Sequence, residues 1–148
     1  MIELRDTVLI ERPASQVWTW LSDLPRHYRE WHPAHRRCWY VRGQRLEPGA
    51  VLGIEEELHG QRHRLRLKAT EVVPNRLLRY SGWGFRGAFL LEDEGGWTRF
   101  TATLGLGTAV PIAGRLADRL LRRFFSTRLA AIQEHMREEG NNLKRLME

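Results

Sequence analysis

The feature that most restricts what this chain can fold into is a change of hydrophobic period. From residue 38 to 107 apolar side chains recur at every second position, and turn signals at "EPG", "HGQ", "VPN" and "DEGG" cut the run into short pieces. A period of two belongs to strands with one covered face, so the stretch predicts an antiparallel meander. After Gly107 the period lengthens. Ala117, Leu120, Leu121, Phe124, Phe125, Ile132 and Met136 share one stripe at about 100° per residue, which predicts a single long helix from around Pro111. Gly140 is a weak point near its end. A sheet and a helix that are each apolar on one side must cover one another.

Ahead of the meander, "IELRDTVLI" alternates with Ile2, Leu4, Val8 and Ile10 on one face, as a half-buried strand does. "RPASQVWTWLSDLP" then predicts a short helix with Pro13 at its first position and Val17, Trp18 and Leu21 on one side, and "RHYREW" a second one ended by Pro33. With 148 residues, 42% of them hydrophobic, the chain is long enough to bury one core, and residues 1–148 read as a single domain. The lone Cys38 cannot form an internal disulfide and the N-terminus lacks a signal-peptide core, so a cytoplasmic location is expected. No run nears the roughly 20 apolar residues of a membrane span, and no membrane partner is expected. The net charge of +6 comes almost wholly from arginine. Arg115, Arg119, Arg122 and Arg123 fall opposite the helix stripe with no interleaved aromatics, which speaks for a solvated face and against a nucleic-acid partner.

"IERPASQVWTWLSDLPRHYREWHP" and the element order resemble the Bet v 1/START-like superfamily, in particular its polyketide cyclase/dehydrase type. The resemblance implies an α+β helix-grip fold: a curved antiparallel sheet wrapped around a long C-terminal helix, with two short helices after the first strand. It also implies an enclosed cavity for a small hydrophobic or aromatic molecule, with functions that vary widely among members.

Polar residues aimed at such a cavity are found by counting. In "VLGIEEELHG" Glu56 shares a face with Leu52, Ile54 and Leu58, whereas Glu55 and Glu57 point to solvent. In "RHRLRLKATEV" His63 leads the face of Leu65, Leu67 and Ala69; a turn at Gly60-Gln61 sets Leu58 opposite His63 and Glu56 opposite Leu65. On the long helix His135 and Glu139 are four apart and, with Arg128, interrupt the apolar stripe. His32 and His35 flank Pro33 where the second short helix ends. These positions offer imidazoles and carboxylates from separate walls, a set that suits zinc, or iron or manganese. Either loop histidine could be the ligand. Phe89, Phe100, Phe124 and Arg128 are the expected cavity residues, with Trp83 and Phe85 also shaping the space.

"WHPAH", "EEELHG" and "HMREE" resemble a narrower family on this fold, the metal-dependent diacetylphloroglucinol hydrolases, which break carbon–carbon bonds. That likeness implies His32, Glu56, His135 and Glu139 as metal ligands and His35 and His63 as proton carriers near the substrate. The chain is then a cavity protein acting as a metal-dependent hydrolase on a small aromatic or ketone-bearing molecule. The alternatives are a non-catalytic carrier or sensor of an apolar ligand and a metal-free polyketide cyclase or aromatase.

Overall fold

The computed structural model describes residues 2–58, 60–107 and 111–148, with side chains in the last segment from residue 129 onward. The elements are β1 (Ile2–Ile10), α1 (Ala14–Leu21), α2 (Leu24–Trp31), β2 (His35–Arg42), β3 (Val51–Leu58), β4 (Gln61–Val73), β5 (Leu77–Gly82), β6 (Phe85–Asp93), β7 (Thr98–Leu106) and α3 (Pro111–Met147). The seven strands form one antiparallel sheet in the order β1-β7-β6-β5-β4-β3-β2. β1 therefore closes on the last strand, and α1 and α2 carry the chain to the far edge, where β2 starts. This is the helix-grip fold.

Period two holds along β1. Ile2 and Ile10 are buried at the ends of an alternating β1, and Ala14, Val17, Trp18 and Leu21 make the buried side of α1. Fully burying side chains such as Ile10, Val17, Leu21 and Leu143 stabilises by about 1.5–3 kcal/mol each. Pro13 precedes α1 as its N-cap in extended geometry, one position earlier than expected. The meander has a further turn at Trp83–Gly84, which the sequence signals did not mark; Gly84 takes φ +79°, open to glycine without strain.

α3 runs through Gly140 without a break. Glycine at that position is a matter of approach: a Cβ there would lie 2.9 Å from Asp6 Oδ2 on β1. Close contact between α3 and β1 outweighs the helix propensity that glycine forgoes. Beside it, Trp31 Nε1 donates to the Glu139 carbonyl (2.9 Å) and Asn142 Nδ2 to the Trp31 carbonyl (3.0 Å), fastening the end of α2 to α3.

Candidate metal and ligand site

Between the inner sheet face and α3 lies a cavity of about 330 Å³. Leu52, Ile54, Leu67, Phe89 and Met136 give it an apolar wall, broken by Tyr28, Glu56, Tyr80, Thr103, His135 and Glu139. Phe89 is thus a wall residue as expected. Phe100 is not: it sits in the core beside Phe89, ring centroids 5.5 Å apart. Phe124 and Arg128, with the helix arginines, lie outside the described side chains. Trp83 is 98% exposed and contributes nothing to the wall.

Glu56, His135 and Glu139 on this wall meet His35 just behind it, each offering one ligand atom and all four within 4.8 Å of one another. His35 arrives through a bulge: the β2–β3 register slips between His35 and Arg37, which turns His35 inward opposite Glu56. Its ring is completely buried and stacked on Tyr28. His35 Nδ1 donates to the Tyr28 carbonyl (2.9 Å), so the hydrogen-bond network leaves Nε2 as the free position, 2.8 Å from Glu139 Oε1 and 3.7 Å from Glu56 Oε1. Glu56 accepts the Tyr28 hydroxyl at 2.6 Å. Burial and the Glu56 carboxylate push the Tyr28 phenol far above its usual range, so it stays a donor.

His135 Nε2 also lies 2.8 Å from Glu139 Oε1, but out of hydrogen-bonding alignment; it is buried without a hydrogen-bond partner. Burial pulls the His135 imidazole down in pKa, and the nearby carboxylates, Glu139 first, more than reverse this and leave it raised. Glu139 shows the converse. Burial pushes its carboxyl up, while His135 and His35 outweigh that and hold it at about 2. Two ring nitrogens aimed at one carboxylate oxygen need positive charge among them, either protons on the rings or a cation in their midst. The unpartnered His135 Nε2, the fixed tautomer of His35 and the mixed nitrogen–oxygen donors fit a divalent ion such as zinc, iron or manganese.

His32 is not one of the four. α2 stops at Trp31, and His32 is extended at φ −152°, ψ 143°; its Nδ1 accepts from Ala34 N (2.9 Å), leaving Nε2 to donate to Glu138 (2.7 Å). With both nitrogens engaged, it supports the site from behind, its ring 4.2 Å from that of His135. His63 also falls away from the expected place. Leu58 pairs with Gln61, two residues off the anticipated register, so His63 stands opposite Glu56 with the inner face preserved, but it is exposed and no part of the wall. Glu56 faces inward as predicted, whereas Glu55, expected in solvent, is buried on the outer face between Arg62 (3.4 Å) and Arg64 (2.9 Å). Tyr28 and Tyr80 were missed. Tyr28 occupied the apolar side of a short helix and Tyr80 an unremarkable strand position, and neither type stands out by period alone.

Over residues 1–148 the sequence matches Polyketide_cyc2, described as polyketide cyclase / dehydrase and lipid transport. The chain belongs to this family. No curated protein matches it in sequence. Solved structures share its fold. A Polyketide_cyc-like protein from Corynebacterium glutamicum superposes with a TM-score of 0.63 at 22% identity, covering 97% of this chain and 90% of that one. The Zhui aromatase/cyclase of Streptomyces sp. R1128 gives 0.65 at 15% identity, with 98% and 95% covered. Ara h 8.0201 gives 0.60 at 14%, with 96% and 97%. As a Polyketide_cyc2 member with this apolar space, the protein is a ligand-binding cavity protein, and no helix among its described residues is long and apolar enough to cross a membrane.

Proposed function

We propose that this Polyketide_cyc2 protein is a divalent-metal-dependent enzyme acting on a small aromatic or ketone-bearing molecule held in the cavity. The observation that carries the reading is the meeting of two imidazoles and two carboxylates within 4.8 Å at the edge of a mainly apolar cavity. A buried cluster of this kind costs stability unless a cation compensates it. Zinc, iron or manganese bound there would supply Lewis acidity toward a substrate carbonyl. The chain does the rest: Tyr28 holds Glu56 and His35 in place, the apolar wall excludes water and orients a flat substrate, and α3 brings His135 and Glu139 together at one helical turn's spacing. Carbon–carbon bond hydrolysis is the finer form of this proposal, drawn from the resemblance of "WHPAH" and "HMREE". Neither proton carrier assigned by that resemblance keeps its place, since His35 joins the ligand cluster and His63 lies in solvent.

A metal-free cyclase or aromatase is the second reading. The family description and the fold shared with the Zhui aromatase/cyclase favour it, and Glu139 on the wall, backed by His35 at 2.8 Å, is an acid–base pair. Elemental analysis of protein purified without a histidine tag decides between them. About one equivalent of zinc, iron or manganese, lost in Glu139→Gln, supports the metal enzyme. No metal, and no thermal shift on adding these ions, removes it and leaves ring closure or dehydration of a polyketide-like substrate, or simple carriage, to be assayed.

A further inference from the structure

One end of the sheet gathers two turns and the close of β7. Leu58 pairs with Gln61, Gly82 with Phe85 and Phe85 with Leu106, while Gly107 N donates to the Gly84 carbonyl at 3.2 Å. The cavity reaches this end. Leu58, Leu65, Phe85 and Leu106 line it, and Leu65 is also 38% exposed, so the apolar space meets solvent here. At the tip of the β5–β6 turn stands Trp83, 98% exposed, an indole that buries almost nothing of itself in the fold.

The sheet's outer face beside that tip is basic. Lys68 pairs with Ser81 and Ser81 with Arg86, placing these side chains in one row, and the Arg66 carbonyl lies against Gly82 at the turn. Arg66, Lys68 and Arg86 are exposed and take no ion-pair partner among the described residues, unlike Arg62 and Arg64, which share Glu55. We propose that this rim is a docking surface for an anionic lipid bilayer, with Trp83 seated among the headgroups, Arg66, Lys68 and Arg86 facing lipid phosphates, and the cavity mouth presented to the membrane. Indole favours the boundary between water and hydrocarbon. A single protruding tryptophan flanked by cations suits a headgroup layer better than the broad apolar patch typical of a protein interface. Charge selects an anionic surface: each cation held near one strengthens binding by roughly fivefold. That no helix among the described residues is long and apolar enough to cross a membrane does not bear on such peripheral contact, which is also independent of any ion at the His/Glu cluster.

The test is co-sedimentation with phosphatidylcholine vesicles, with and without phosphatidylserine, at low and physiological salt. Wild-type protein is expected to pellet with the phosphatidylserine vesicles and to release as salt rises. Trp83→Ala should weaken this by about tenfold or more, from the area an indole buries, and Arg66→Ser with Arg86→Ser by about 25-fold from the two charges. These exposed positions leave the melting temperature unchanged, which separates lost docking from lost fold. Binding that ignores phosphatidylserine, binding unchanged in Trp83→Ala, or no binding to either vesicle would overturn the proposal; in the last case an acidic protein becomes the partner to seek.

Discussion

The phenol of Tyr28 lies flat on the imidazole of His35, ring centroids 3.9 Å apart and planes 3° from parallel. From that position its hydroxyl reaches Glu56 and its backbone carbonyl takes the His35 Nδ1 proton, so one residue of α2 orients two of the four clustered side chains. Tyr28→Phe keeps the stacked ring and removes only the hydroxyl. The expected result is a 10- to 100-fold loss of affinity for zinc, in the range seen when such an outer hydrogen bond is removed. Stability should fall by only about 1 kcal/mol. Chelator competition and thermal denaturation measure the two separately.

The two loop histidines should part company on mutation. His35→Ala removes a member of the cluster and is expected to abolish stoichiometric metal. His32→Ala leaves all four ligand atoms in place and should retain it, at lower affinity because the ring beside His135 is gone. Metal-to-protein ratios after tag-free purification check both; retention by His35→Ala with loss in His32→Ala would reverse the assignment.

Acidity should act on the metal-free protein through Glu139. Its carboxyl is held at about 2 in the fold against an ordinary value of 4.5, so its contribution to stability is complete above 4.5 and is lost as pH falls from there toward 2. His135 runs the other way. Its pKa is raised, so its contribution is full below 6.5 and fades as pH climbs through the folded value. Urea denaturation across pH should therefore place the stability maximum of metal-free protein between about 4.5 and 6.5, and Glu139→Gln should flatten the acid limb.

Burial pushes the Cys38 thiol up to about 12. At pH 8 the native protein should not react with a disulfide reagent that needs thiolate, and one equivalent should react once the chain is unfolded. Rapid labelling of native protein would mean that β2 opens readily from the edge of the sheet.

The sequence disclosed its elements well and its site only in part, for reasons that differ by residue. Glu56, His135 and Glu139 were legible because period-two and helical counting assign a face without knowing any partner. His35 was not separable from His32, because the choice depends on a bulge at Arg36, and a bulge leaves no periodic trace. For Glu55, parity gives the side of the sheet but not what covers it, here two arginines from β4. His63 failed through the turn: moving a hairpin by two residues keeps every face and changes every neighbour.

Gly140 provides a test of how tightly α3 must lie on β1. In Gly140→Ala the new methyl crowds only the tip of the Asp6 side chain and rests at ordinary contact distance on Val8, and the gain in helix propensity of about 1 kcal/mol offsets the crowding, so stability should change little. A larger side chain must push Val8 aside. Gly140→Leu should cost about 1–3 kcal/mol and, by lifting the helix, weaken metal binding along with it. A shift in melting temperature without loss of metal would show that the site tolerates a raised helix.

The pairing of β1 with β7, and of His35 with Glu139 across 104 positions of sequence, also fixes when the site can come into being. A ribosome that has released β2 through β6 has made His35 and Glu56, a half-set whose remaining members are not yet synthesised. Contacts this distant along the chain form late and slowly. The growing polypeptide therefore carries only half of the cluster, and the four side chains come together in one step, when the C-terminal helix settles into the sheet.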